Sequence, residues 1–237
     1  MSLKAWAAIG PHAMRTAMTK KRVGILISGR GSNMVSLIAA CNQANFPAEI
    51  AVVISNRPDA PGLVRAAEAG IKTVSIDHKL FASRVPFEMK LHQALLDHGV
   101  ELICNAGFMR MLTGGFVDRW RDRQLNIHPS LLPALPGLDT HTRALDQGLM
   151  IHGCTVHFVR LEMDTGPIIA QAAVPVMPND TADTLGARVL AQEHLLYPHA
   201  LRLVAGGHVR LDGDRAIITS PAIHPAAGFT WPPIPLD

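Results

Sequence analysis

The chain has 237 residues, 48% of them hydrophobic and 17% charged, which excludes a disordered polypeptide and suits one large domain or two small ones. No apolar run approaches the ~20 residues that span a bilayer. The net charge of +3 and the pI of about 9.0 come from scattered Lys and Arg; aromatics are 5% and no basic stripe runs between them, so no nucleic-acid partner is expected.

In chain order, residues 1–20 read as a poorly ordered extension with no convincing secretory signal. Arg22 to Ser28 is a short apolar run that reads as a buried parallel strand. A turn, Gly29-Arg30-Gly31-Ser32-Asn33, leads into a helix from about Met34 to Ala44. Strands follow at Ala48 to Ser55 and Lys72 to Ile76, separated by a helix from Pro61 to Ala69. Pro86 to His98 is helical by spacing, Glu101 to Ala106 is the fourth strand, and a helix lies near Phe116 to Trp120. This alternation predicts right-handed βαβ units, giving a mostly parallel, Rossmann-like α/β sheet flanked by helices.

Gln124 to His128 is the fifth strand, ended by Pro129, which cannot donate to a sheet ladder. Ile151 to Arg160 and Ile168 to Val176 are longer strands joined by Glu162 to Gly166, a link short enough for an antiparallel pair. The last long helix runs from about Thr181 to Ala205, with Asp180 as its N-cap. Residues 21–220 then form one domain, and 221–237 a Pro-rich irregular tail.

Two stretches carry candidate chemistry. In the fifth strand Asn126 and His128 are two apart, so they share a face at the carboxyl end of the sheet, where open α/β sheets place ligands. The same pattern also suits an ordinary strand end whose polar residues satisfy nearby backbone. In the first turn small residues let the backbone approach an anion, and the helix N-terminus offers free N–H groups. A dinucleotide fits that turn poorly: Met34 stands at the third glycine position, and Ile54-Ser55-Asn56 carries no acid for a ribose. A single phosphate fits better, and a plain tight turn remains open. Asp164, 36 positions after His128 (164 minus 128), sits in the link between the late strands. Near an imidazole its charge would favour the protonated ring and orient it; equally, Asp164-Thr165-Gly166 suits a simple turn. The three cysteines, Cys41, Cys104 and Cys154, form no C-x-x-C pair, so a reducing, cytoplasmic setting is expected and no metal site is read.

Asn126 to Leu145, His152-Gly153 and Asp164-Thr165-Gly166-Pro167 together resemble the folate-dependent formyltransferases, and the resemblance extends over residues 22–205. It points to the branch that formylates glycinamide ribonucleotide, with 10-formyltetrahydrofolate as co-substrate and no metal. It implies that Asn126, His128 and Asp164 are the catalytic set. It implies that Gly31, Ser32 and Asn33 hold the ribonucleotide phosphate, with Glu193, in Leu190-Ala191-Gln192-Glu193, binding the same substrate. For the formyl-folate it implies one wall at Met109, Arg110, Met111 and Leu112, another at Arg160, Leu161, Glu162, Met163 and Asp164, and further contacts from Asn126 and Arg84. The chain departs from the family pattern at Ala134, Leu135 and Asp139, where relatives often carry a basic residue, an aromatic and a histidine. The alternatives are a formyltetrahydrofolate deformylase, a tRNA-directed formyltransferase, and a non-catalytic nucleotide-binding protein on the same fold. The partners expected are small molecules, with no membrane; a homodimer is left open.

Overall fold

The computed structural model describes residues 19–219; the expected N-terminal extension up to residue 18 and the tail from 220 lie outside them. A seven-stranded sheet has the order β3-β2-β1-β4-β5-β6-β7. Its strands are β1 (Lys21–Ile27), β2 (Ala48–Ser55), β3 (Thr73–Ser75), β4 (Leu102–Asn105), β5 (Gln124–His128), β6 (Ile151–Phe158) and β7 (Ile168–Pro175). β1 to β5 pair in parallel, while β5–β6 and β6–β7 are antiparallel. The order reverses at β1, so β1 and β4 flank the switch point where doubly wound sheets bind ligands.

Helices cover both faces, which is why β1 and β4 read as unbroken apolar runs. The helices are α1 (Ser32–Cys41), α2 (Pro61–Glu68), α3 (Arg84–Asp97), α4 (Gly114–Arg119), α5 (Thr140–Asp146) and α6 (Ala182–Ala205). α1 and α6 pack Met34, Leu37, Tyr197 and Leu201 onto Val23, Ile25 and Ile27. α3 and α4 pack Phe87, Leu91, Phe116 and Trp120 onto Leu26, Val52 and Ile54. Tyr197, fully buried, directs its hydroxyl at the carbonyls of Asn105 (3.0 Å) and Leu125 (3.1 Å), tying α6 to β4 and β5.

One expectation needs correction, and two elements of the fold were not expected. The N-cap of α6 is Thr181, which forms a capping box with Thr184; Asp180 instead binds Arg188 at 2.7 Å, whose guanidinium holds that carboxyl well below the usual range. The segment after Asp139, for which no element was expected, forms the short helix α5. Beyond α6 the chain adds an antiparallel hairpin, β8 (Val209–Asp212) and β9 (Arg215–Ile218). Gly166 carries out what its place in a hairpin suggested: a Cβ there would lie 1.7 Å from the Phe158 carbonyl oxygen, so only glycine lets β7 start against β6.

Candidate active site

A cavity of about 540 Å³ opens at the carboxyl ends of β4 and β5. Asn126, His128, Asp164, Asn33, Glu193, the 109–112 loop and residues 160–164 all line it. The sheet delivers Asn126 and His128. The β6–β7 link delivers Asp164 across the antiparallel half, with Asp164 in the left-handed region at φ 58°, a conformation aspartate tolerates better than bulky residues.

His128 is buried, and its Nε2 lies 3.0 Å from the Leu135 carbonyl oxygen. A carbonyl only accepts, so Nε2 carries a proton and Nδ1 is the atom that can exchange one. Nδ1 faces Asp164 Oδ2 at 3.5 Å. The same carboxylate oxygen accepts the Gly137 backbone N–H at 2.9 Å, which ties the β6–β7 link to the loop after β5. The departure from the family pattern at Leu135 therefore leaves this contact intact: the backbone carbonyl binds His128, while the side chain packs with Ala144 and Cys154.

Asn126 is oriented by a residue the sequence reading missed. His157 sits opposite it in the β5–β6 ladder. Its Nδ1 donates to the Phe158 carbonyl (2.9 Å), leaving Nε2 bare to accept from Asn126 Nδ2 (3.2 Å). Burial pushes His157 below the ordinary histidine value and keeps it neutral, outweighing the pull of the Phe158 carbonyl and of Asp164. The 3.9 Å approach of His157 Nε2 to Asp164 is thus no ion pair. One N–H of the Asn126 amide is committed to His157, and the second is free for a ligand. The signal for His157 was strand register, which the sequence alone does not supply.

At the other end of the cavity, Asn33 Nδ2 donates to Glu193 Oε2 at 2.6 Å, both residues buried. Burial raises the Glu193 carboxyl above its usual value, against the lowering pull of Asn33 and of the His128 charge. Asn33 Oδ1 is buried with no partner among the described residues. Gly31 is the N-cap of α1 at φ 68°, so the helix begins at Ser32 with its first N–H groups unpaired by the helix. Gly31 and Ser32 lie just outside the cavity lining, as do Leu190, Ala191 and Gln192. Gly62 buttresses the turn: its N–H donates to the Gly29 carbonyl at 3.0 Å, and a Cβ there would lie 2.9 Å from that oxygen. Arg84 is exposed at the start of α3 and does not line the cavity.

The wall beyond His128 is apolar and open. Met109, Met111, Leu138, Leu161 and Met163 are between 48% and 67% exposed around it. Between α5 and β6, His141 Nδ1 and His152 Nε2 lie 3.1 Å apart. Burial, helped by the charges of His141 and His128, pushes His152 down to about 4. Among the described residues, no group of three or more His, Cys, Asp or Glu is placed to hold a metal ion.

A doubly wound sheet that gathers an amide, a His–Asp pair and a helix N-terminus at its carboxyl edge defines an α/β protein with a two-ended small-molecule site. The chain belongs to the formyl transferase family, whose model matches residues 21–201. Glycinamide ribonucleotide transformylase 1 from Symbiobacterium toebii has the same fold with a TM-score of 0.83, at 46% identity, over 85% of this chain and 95% of that one. Phosphoribosylglycinamide formyltransferase of Escherichia coli (strain K12) is 41% identical over 201 residues, 85% of this chain and 95% of that protein. The trifunctional purine biosynthetic protein adenosine-3 of Homo sapiens is 48% identical over 192 residues, which is 81% of this chain. This chain spans only 14% to 20% of the length of the trifunctional relatives it matches.

Proposed function

We propose that the chain transfers the formyl group of 10-formyltetrahydrofolate to the amine of glycinamide ribonucleotide, giving formylglycinamide ribonucleotide and tetrahydrofolate in purine biosynthesis. The observation that carries this reading is the His128–Asp164 pair beside Asn126, in one cavity between a polar end and an apolar end. The relatives named for this activity, similar over most of this chain, support it.

The amine nitrogen attacks the formyl carbon, and the carbonyl oxygen becomes a developing oxyanion. The free N–H of Asn126, held in place by His157, donates to that oxygen. The new C–N bond leaves a proton to be removed from the amine nitrogen, and the folate nitrogen must gain one as its bond to the formyl carbon breaks. His128 Nδ1 and the Asp164 carboxylate, 3.5 Å apart, act as one store for that proton. The first N–H groups of α1 bind the ribonucleotide phosphate, and Glu193 accepts from the ribose hydroxyls. The 109–112 loop and residues 160–164 hold the folate ring system. The buried thiols of Cys41, Cys104 and Cys154, all unpaired, accord with a cytoplasmic setting.

A formyl-transfer assay with three acceptors tests the reading: glycinamide ribonucleotide, water and charged tRNA. Formylation of the ribonucleotide, at a rate unchanged by exhaustive chelation, is expected. Formate release without an acceptor would make the chain a deformylase, and inactivity with all three would leave only a binding protein.

A further inference from the structure

The 109–112 loop is little constrained by contacts of its own. Among the described residues, the backbone N–H and C=O groups of Arg110, Met111 and Leu112 make no hydrogen bond within the protein, and Met109 and Met111 are largely exposed. Such a segment has little to fix its shape. A wall that holds a flat heterocycle must nevertheless be fixed, because ordering it on binding would cost affinity.

Buried side chains grip the loop at both ends. On the entry side, Ser28, at the end of β1, donates its N–H to the Gly107 carbonyl at 3.1 Å. Its hydroxyl accepts the Met109 N–H at 2.8 Å and donates to Asn56 Oδ1 at 2.6 Å. Ser28 and Asn56 are buried, so this hydroxyl has a single well-defined orientation. On the exit side, Glu88 on α3 accepts the Thr113 N–H at 2.8 Å, and its other oxygen accepts the Thr113 hydroxyl. Glu88 is buried, and among the described residues Thr113 supplies both of its side-chain hydrogen bonds. A buried carboxylate kept for two bonds to one loop residue is an expensive choice unless the loop's position matters.

We propose that Ser28, with Asn56, and Glu88 are positioning residues that hold the 107–113 segment in the shape that binds formyl-folate. They touch no substrate and act through the loop. The proposal rests on the reading that this loop is the folate wall.

Steady-state kinetics of the full chain, varying each substrate separately, test it. Glu88→Ala should raise KM for formyl-folate about 10-fold or more, as loss of hydrogen bonds to a charged acceptor implies. KM for glycinamide ribonucleotide should stay within about twofold, since that end of the cavity is built from α1 and α6. Glu88→Gln, which keeps an acceptor oxygen, should recover much of the loss. Should Glu88→Ala fail to fold, Thr113→Val and Ser28→Ala carry the same test in milder form, with thermal unfolding as the check. A parallel rise in both KM values, or an unchanged folate KM, overturns the proposal. One glycine inserted between Arg110 and Met111 tests the underlying reading. If it too leaves folate KM unchanged, the loop is not the folate wall; if it raises folate KM while Glu88→Ala does not, only the anchoring is wrong.

Discussion

The two ends of the cavity are built on opposite plans. At the α1–α6 end, the polar groups are buried and one pair, Asn33 Nδ2 and Glu193, is already bonded, while Asn33 Oδ1 has no partner among the described residues. At the loop end, apolar side chains such as Met109, Leu161 and Met163 stand exposed around an open rim. The difference teaches what each of the two proposed ligands would require. A phosphoribosyl group offers many hydrogen-bonding atoms, and its recognition depends on groups fixed beforehand, because an unpaired buried polar group is costly. A flat folate ring offers area, and adaptable methionine and leucine surfaces suit it. On the proposed function the chemistry lies at the junction, where His128 and Asp164 join the β5 loop to the β6–β7 link.

The largest expected effect is therefore at the junction. His128→Ala should lower kcat by roughly 10²-fold or more while leaving both KM values near normal. Raised KM with near-normal kcat would show that His128 only binds. Asp164→Asn, a change the left-handed backbone at 164 tolerates, should cost nearly as much. If the two act as one proton store, as proposed, the double variant should be little slower than either single one. Additive losses in that cycle would separate their roles.

The junction is also where sequence and structure agree most closely. β5 was readable because Gln124 to His128 alternates and Pro129 stops it, and the antiparallel pair because its link is so short. α5 was not readable: it is seven residues long, and its N-cap Asp139 makes no side-chain capping bond. β8 and β9 are four residues each, although Gly213-Asp214 between them is a recognisable two-residue hairpin signal. His157 was hidden for a different reason. Its role comes from lying opposite Asn126, and pairing register between strands 31 positions apart is a tertiary property. The same holds for Ser28 and Glu88, whose partners are 81 and 25 positions away.

The next effect separates the two ends. Ser32→Asp places a negative charge where the first N–H groups of α1 await an anion. It should weaken glycinamide ribonucleotide binding by about 10-fold or more and leave formyl-folate binding nearly intact, read by calorimetry with each ligand alone. If folate affinity collapsed while ribonucleotide affinity held, the two ends of the cavity would have to be exchanged.

The smallest effect concerns the polar end alone, where binding and stability are opposed. Burial raises the Glu193 carboxyl above its ordinary value, so the folded protein holds that proton more tightly than the unfolded chain does. The resulting stabilisation is complete below the ordinary glutamate range and disappears as pH rises through the raised value. Above that value the ionised carboxylate makes no favourable net contribution; its burial outweighs the bond from Asn33 and the attraction of the His128 charge. Glu193→Gln keeps an acceptor for Asn33 and removes the buried charge. Its unfolding midpoint in denaturant should exceed that of the natural protein at pH 7, and the two should converge as pH falls toward the ordinary glutamate range. Ribonucleotide affinity should drop about fivefold, as loss of a charged acceptor for the ribose implies. If the Glu193→Gln variant proved less stable at pH 7, the carboxylate's hydrogen bonds would outweigh its burial, and this end of the cavity would be built for stability as well as for binding.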